Sequence, residues 1–259
     1  MKVLFIGDIC GSPGRKAVAQ LLPKLKEMYR VDFTLANAEN AAGGFGITPN
    51  VADDLFGMGI DLLTSGNHVW DRKEIVEYIA KNGNLLRPVN YPAQAPGRGT
   101  AVMKTAGGEK IAVINVIGRI FMSPADCPFA ALDREIAKVS EETKVIIVDL
   151  HAEATSEKVA LGWYLDGRVS AALGTHTHVQ TSDERILPGG TAYITDLGMT
   201  GPRDSVIGVD KDQAIARFLT LMPTRFDVAP GPVQFCGALV EIDSESGKAR
   251  KILRLQINL

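Results

Sequence analysis

Val3-Leu4-Phe5-Ile6-Gly7-Asp8 is an apolar run that stops at a glycine and a carboxylate. A segment this short, branched and aromatic, and closed by glycine, reads as a buried strand. The same grammar continues outward from it. Arg15 to Met28 has the helical spacing of Val18, Leu21, Leu22 and Leu25, with Pro23 marking a kink or interruption. Phe33 to Ala38 is the second strand and runs into Glu39-Asn40. After Gly43-Gly44, Thr48-Pro49 reads as an N-cap with proline at the first helical position, opening a helix through about Met58. Asp61 to Ser65 is a third short strand leading into Gly66-Asn67-His68. Asp71 begins another helix with Ile75, Val76 and Ile79 toward a core, and strand-like segments follow at Gly99 to Lys104 and Lys110 to Ile117. Strands separated by helices predict a parallel sheet covered on both faces.

The second half keeps the grammar without repeating the sequence. Lys144 to Leu150 is an apolar strand ending at His151, Ser156 to Tyr164 reads as a helix, and Val169 to Gly174 is a short strand feeding His176. In the tail, Gln234 to Ile242 and Lys251 to Leu259 flank the turn-like Ser244-Glu245-Ser246-Gly247, which predicts an antiparallel hairpin closing a second sheet. The expected class is α/β, two mixed sheets with helices outside. No low-complexity segment or fixed-period repeat offers a boundary, so residues 1–259 are expected to form one domain.

With 46% hydrophobic and 22% charged residues, the chain can bury a substantial core. A formal charge of −2 gives no electrostatic reason to expect binding along an extended nucleic acid, although a single nucleotide remains compatible. Cys10, Cys127 and Cys236 are odd in number and widely spaced, which argues against a disulfide framework or a structural zinc site. No stretch approaches the ~20 apolar residues that span a bilayer, and the first apolar run is too short for a signal segment. The expectation is a cytoplasmic protein with no membrane partner, and a homo-oligomer on base rates alone.

All four histidines sit in polar motifs at the ends of apolar segments: Gly66-Asn67-His68, Asp149-Leu150-His151 and Gly174-Thr175-His176-Thr177-His178. With Asp8 and Glu39-Asn40 they spread carboxylate, amide and imidazole groups along the chain as a two-metal hydrolase would. An extended His-x-His would put both imidazoles on one side of the backbone, so His176 and His178 would address neighbouring ions. Imidazole and carboxylate suit iron, manganese or zinc better than calcium, and a carboxylate such as Glu39 can bridge ions ~3.5–4 Å apart. Each motif alone has a plainer explanation: Asp8 as a turn or cap, Gly66-Asn67 as turn chemistry, His68 or His151 as a satisfied polar residue at a strand end. Their joint order is what independent turn residues would not reproduce.

That order resembles the calcineurin-like metallophosphoesterase superfamily, whose motifs run D-x-H, G-D-x-x-D, G-N-H-[DE], H and G-H-x-H. The longer strings Asn37-Ala38-Glu39-Asn40-Ala41-Ala42, His151-Ala152-Glu153-Ala154-Thr155-Ser156-Glu157-Lys158 and Gly174 to Thr181 resemble the bacterial YmdB-like branch more closely. The resemblance implies a four-layer αββα sandwich and a phosphodiesterase acting on 2′,3′-cyclic nucleotides at two divalent ions, iron foremost, with manganese or zinc as alternatives. It further implies that Asp8, Asn40 and His178 hold one ion, that Glu39 bridges, and that Asn67, His151 and His176 hold the other. Cys10 stands where the broad pattern has a histidine, and Glu39 replaces the usual bridging aspartate; Cys10 is not assigned as a ligand.

The reaction expected on that basis is attack of a metal-bridging hydroxide on phosphorus, with the unligated His68 protonating the leaving ribose oxygen. Alternatives are a phosphomonoesterase or protein phosphatase on the same metals, and a non-catalytic metal–nucleotide sensor with a regulatory role. A dinucleotide-binding reading of Gly7, Gly11 and Gly14 fails because the spacing is not G-x-G-x-x-G. Asp196 to Pro202 reads as a connecting loop rather than a pocket wall. Trp70 reads as packing before base stacking, and Arg119 and Arg168 are equally placed for phosphate or for structural ion pairs.

Overall fold

The computed structural model describes residues 1–259. In chain order the elements are β1 (Lys2–Ile6), β2 (Asp8–Ile9), α1 (Gly11–Tyr29), β3 (Phe33–Asn37), α2 (Pro49–Gly57), β4 (Leu62–Thr64), α3 (Ile75–Lys81), β5 (Thr100–Lys104) and β6 (Lys110–Ile117). There follow α4 (Pro128–Val139), β7 (Ile146–His151), α5 (Thr155–Leu165), β8 (Ala171–Thr175), β9 (Arg185–Ile186), β10 (Ala192–Ile194), β11 (Met199–Pro202), α6 (Lys211–Thr220), β12 (Val233–Ile242) and β13 (Ala249–Asn258). No helix is long and apolar enough to cross a membrane.

Two mixed sheets result. The first has the order β2-β11-β12-β1-β3-β4, with β13 on β12; the second has the order β5-β6-β7-β8-β10-β9. Three apolar clusters fill the spaces between four layers. One packs the outer face of the first sheet, through Leu4, Ile6 and Leu63, on Val18, Leu22 and Leu55 of α1 and α2. The second joins the sheets face to face through Phe5, Leu35, Val113, Ile147, Leu173 and Val240. The third packs Ile114, Val148 and Ala172 on Leu132, Ile136 and Leu161 of α4 and α5. Strand residues of opposite parity enter different clusters: Leu4 and Ile6 face the helices and Val3 and Phe5 face the other sheet, as the two-residue period requires. This is the αββα sandwich.

Several local expectations are corrected. The tail hairpin of β12 and β13 forms, but it completes the first sheet instead of closing a second, with β12 inserted antiparallel beside β1 in the register Lys2↔Glu241 to Ile6↔Gly237. Pro23 lies inside α1 without ending it; Pro23 and Ala19, whose carbonyl loses its donor, both lie on the exposed face of the helix, so the lost bond falls outside the core. Residues 71–74 are turn, and the third helix starts at Ile75. Two helices stand outside the sequence-based expectations. Helix α4 buries a stripe of Ala131, Leu132, Ile136 and Val139, whereas α6 buries only Ala214 and so has no stripe to read.

Phe5 is fully buried in the cluster between the sheets. Phe5→Ala should therefore destabilise the protein by about 3–5 kcal/mol through lost burial and an unfilled cavity. Urea denaturation checks this, and a loss below about 1 kcal/mol would mean that the facing sheets re-close over the gap.

Candidate metal centre

The candidate residues come together at the carboxyl ends of their strands. Asp8 follows β1, Glu39 and Asn40 follow β3, Asn67 and His68 follow β4, His151 ends β7, and His176 and His178 follow β8. Because the two sheets stack with these ends on one edge, ligands from both halves of the chain converge. The ligand atoms of Glu39, His151 and His176 all lie within 4.8 Å of one another.

His151 is the most enclosed. Its Nε2 has Asn67 Oδ1 at 3.0 Å, Glu39 Oε1 at 3.1 Å and His176 Nδ1 at 3.1 Å. Its Nδ1 meets Thr175 Oγ1 at 2.9 Å, and Thr175 in turn donates to Asp149 Oδ1 at 2.7 Å. The hydroxyl hydrogen is thus committed to Asp149, so Nδ1 is the donor to Thr175 and, in the neutral ring, Nε2 turns its lone pair inward. A Cβ on Gly66 would fall 2.0 Å from that Nε2, so glycine is required there.

The other histidines are positioned in a related way. His176 Nε2 lies 3.1 Å from the Glu153 carboxylate, with Nδ1 toward His151 at 3.1 Å. His178 Nδ1 donates to the Ile207 carbonyl at 2.7 Å, and its Nε2 lies 3.0 Å from the Asn40 amide and 4.0 Å from Asp8 Oδ1. His68 Nδ1 donates to Asp71 at 2.8 Å. A histidine whose outer nitrogen is held by an acceptor presents the other as a lone pair, which is how ligating imidazoles are oriented.

Inside this shell the balance of donors and acceptors fails in a way that fits a divalent cation. Asp8 Oδ1 and Asn40 Oδ1 are buried without any hydrogen-bond partner. With His151 neutral, lone pairs of Glu39, His151, His176 and Asn67 face one another, which is the donor set a divalent cation takes. Glu39 also accepts the His68 backbone N–H at 2.9 Å and lies next to Asn40, so it sits between the His151 side and the His178 side.

The local pKa values follow. Burial pushes Asp8 up to about 6 despite His178 and His151 nearby. Burial would also raise Glu39, but the charge and hydrogen bond of His151, with help from His68, hold it down at about 2. For His151, burial is outweighed by Glu39, Asp8 and Asp149, and its pKa rises to about 9. Burial and His151 together lower His176 to about 3. Without a cation, a proton on His151 serves the acceptors around it. Cys10 is buried and held up at about 12, first by burial and then by Asp8, so its thiolate is suppressed.

The His176-Thr177-His178 segment is not extended. β8 ends at Thr175, and His176 and His178 take positive φ of 96° and 66°. A buried ion pair holds this turn: Lys158 Nζ meets Asp196 Oδ2 at 2.6 Å and donates to the Thr175 carbonyl at 2.9 Å. The same carboxylate accepts Thr177 Oγ1 at 2.6 Å and Thr177 N–H at 3.2 Å. Asp196 to Pro202 is therefore no plain connecting loop; it is buried, anchors the histidine turn, and at Met199 enters β11.

A cleft of about 440 Å³ opens beside the shell, lined by His68, Glu153 and His178 together with Phe45, Ile207 and Phe226. Trp70 packs on the first apolar cluster. Arg168 pairs with Asp133 at 2.6 Å and lies over the Tyr164 ring, which is the structural role. Sequence reasoning missed Asp71, Asp149, Glu153, Lys158 and Thr175 as positioning groups. Four of them lie inside motifs quoted for their neighbours, but only folding shows which group each one holds.

A model of the YmdB-like protein family matches residues 4–255. The chain is 52% identical over 258 residues to a 2′,3′-cyclic-nucleotide 2′-phosphodiesterase of Bacillus subtilis strain 168, spanning 100% of this chain and 97% of that protein. Among solved structures it is similar to a hypothetical protein of Thermus thermophilus, with a TM-score of 0.93, 44% identity and coverage of 100% and 99% of the two chains. It is also similar to a phosphatase of Mycoplasma pneumoniae, with a TM-score of 0.94, 35% identity and coverage of 100% and 93%.

Two outcomes follow from this geometry. A bound cation must displace the proton on His151 below pH about 9 and, below about 6, that on Asp8 as well. Affinity for manganese(II), measured by competition with a chelator, should therefore rise with pH up to about 9 and most steeply in the acid range; a pH-independent affinity would remove both groups from the site. Lys158→Met leaves Asp196 charged and uncompensated and should cost about 3–5 kcal/mol in denaturant unfolding, with Asp196→Asn restoring part of it in the double variant.

Proposed function

Since the chain belongs to the YmdB-like family of metallophosphoesterases and is a phosphoesterase enzyme, we propose that it opens 2′,3′-cyclic nucleotides at a dinuclear metal centre. In this reading the P–O2′ bond breaks and a nucleoside 3′-phosphate is released, the bond preference following the name of the Bacillus subtilis relative. The observation that carries the proposal is the crowd of inward lone pairs around Glu39, with His151, His176 and Asn67 on one side and Asp8, Asn40 and His178 on the other. We assign those two groups to two ions, with Glu39 between them, iron(II) as the first candidate and manganese or zinc as substitutes. A cytoplasmic setting and action as one domain belong to the same proposal; the three unpaired cysteines accord with the first.

When bound, such ions supply the Lewis acidity that draws a proton from water and neutralises phosphoryl oxygens. The remaining work falls to the protein. Asp149 and Thr175 keep the His151 lone pair inward, and Glu153 does the same for His176. As the new bond to phosphorus forms, the P–O2′ bond breaks and O2′ needs a proton. His68 lines the cleft with its Nδ1 held by Asp71, so its imidazolium form gives O2′ the proton on Nε2 and returns to the neutral ring whose Nε2 is a lone pair. Its backbone N–H on Glu39 ties the donor to the centre.

The test is initial-rate kinetics of iron- or manganese-loaded protein on 2′,3′-cyclic AMP, 3′,5′-cyclic AMP and a phosphomonoester, with His68→Ala beside it. Selective opening of the 2′,3′ ring is expected, with kcat lowered roughly 10²–10⁴-fold in the variant at unchanged metal content. A variant found empty of metal would make His68 a ligand or a prop. Preference for the monoester would favour a phosphatase, and absence of turnover by fully metallated protein would favour the sensor.

A further inference from the structure

We infer that the apolar wall of the cleft, built on Phe45 and Phe226, is a nucleobase subsite that holds the base by stacking and reads none of its edges. The inference rests on the cyclic-nucleotide reading above and adds to it a site and a selectivity.

The lining has two chemistries: polar groups of the candidate metal shell, and the apolar side chains Phe45, Ile207, Val209 and Phe226. A volume of about 440 Å³ is far more than a phosphate needs and falls within the range of clefts that take whole small-molecule ligands. A substrate whose phosphate lies against the shell therefore extends its remainder onto the aromatic wall. Several polar side chains of the lining already have partners: Glu153 pairs with His176, Thr177 Oγ1 donates to Asp196, and His178 donates to the Ile207 carbonyl. The rings of Phe45 and Phe226 offer a base a π face, and every base has one.

Both residues stand on anchored backbone before any ligand arrives. Phe45 lies in the loop Gly43-Gly44-Phe45-Gly46, whose glycines take φ of 72°, 94° and 76°, a course open to few other residues. Arg72 clamps that loop, with Nε on the Phe45 carbonyl at 3.1 Å and Nη2 on the Ala42 carbonyl at 2.8 Å. The Phe45 ring also meets the His68 imidazole edge-on at 5.3 Å, which sets the aromatic wall directly beside the proton donor. Phe226 precedes Asp227, whose N–H donates to Gln213 Oε1 at 2.8 Å and whose carbonyl accepts Asp210 N–H at 2.9 Å, tying it to the start of α6. Residues anchored in this way lose little backbone freedom on binding, which favours affinity.

The experiment compares manganese-loaded wild type, Phe45→Ala, Phe226→Ala and Phe226→Tyr on the four 2′,3′-cyclic nucleotides and on glycerol 1,2-cyclic phosphate, which has the strained ring and no base. Wild type should prefer nucleotides to the glycerol ester and treat the four bases alike within about tenfold. In each alanine variant the nucleotide-to-glycerol ratio of kcat/KM should fall about tenfold or more, mainly through KM, and Phe226→Tyr should restore it. An unchanged ratio in both variants would overturn the inference, as would strong discrimination among bases by wild type. If wild type opens no cyclic phosphate, the cyclic-nucleotide reading fails by itself. The subsite is then decided by calorimetry with AMP and inorganic phosphate: AMP affinity lost in the variants with phosphate retained upholds it, and AMP affinity unchanged removes it.

Discussion

Burial of unshared lone pairs is the constraint on which the rest of the structure depends. Glu39, His151 and Asp8 are withdrawn from water, and the atoms they turn inward are acceptors. An arrangement of that kind is unfavourable unless a positive charge occupies its centre. Holding it requires that each imidazole present the correct nitrogen, and the surrounding layers serve that need. Thr175 and Asp149 hold His151, Glu153 holds His176, the Ile207 carbonyl holds His178 and Asp71 holds His68. The buried Lys158–Asp196 pair then fixes the backbone turn that carries two of these rings.

The fold supplies the positions by a simple device. Parallel strands place their carboxyl ends on one edge, and stacking two sheets brings two such edges together. Short strand-end segments after β1, β3, β4, β7 and β8 therefore meet although they are far apart in sequence. The backbone is bent where side chains must turn in: His176, His178 and Ile207 all have positive φ, a concentration of uncommon conformations typical of functional sites.

Much of this was legible in the chain. Apolar runs of five to eight residues closed by glycine or a polar residue located β1, β3, β6, β7 and β8 within a residue or two, because those strands are buried on both faces and carry no competing signal. The ligand candidates were legible because they follow such runs. Three kinds of information were not. The partner of the tail hairpin depends on which sheet edge is open, which strand patterns do not encode. The course of His176 to His178 depends on a buried lysine and an aspartate from elsewhere in the chain. The aromatic wall of the cleft escaped notice because Phe45 and Phe226 stand in loops, where an aromatic residue has no period to mark it; Trp70, the aromatic nearest a motif, went to the core.

The insertion of β12 beside β1 also sets an order of events in the cell. Val3 pairs on one side with Phe33, but on the other with Val240. A chain emerging from the ribosome can form the first βαβ unit early, yet the strand leading to Asp8 stays open along one edge until the final hairpin is made. Such long-range pairing is slow and leaves an unpaired edge exposed in the meantime. Loss of β12 and β13 uncovers the strand that leads to Asp8, so this hairpin is not a dispensable appendage.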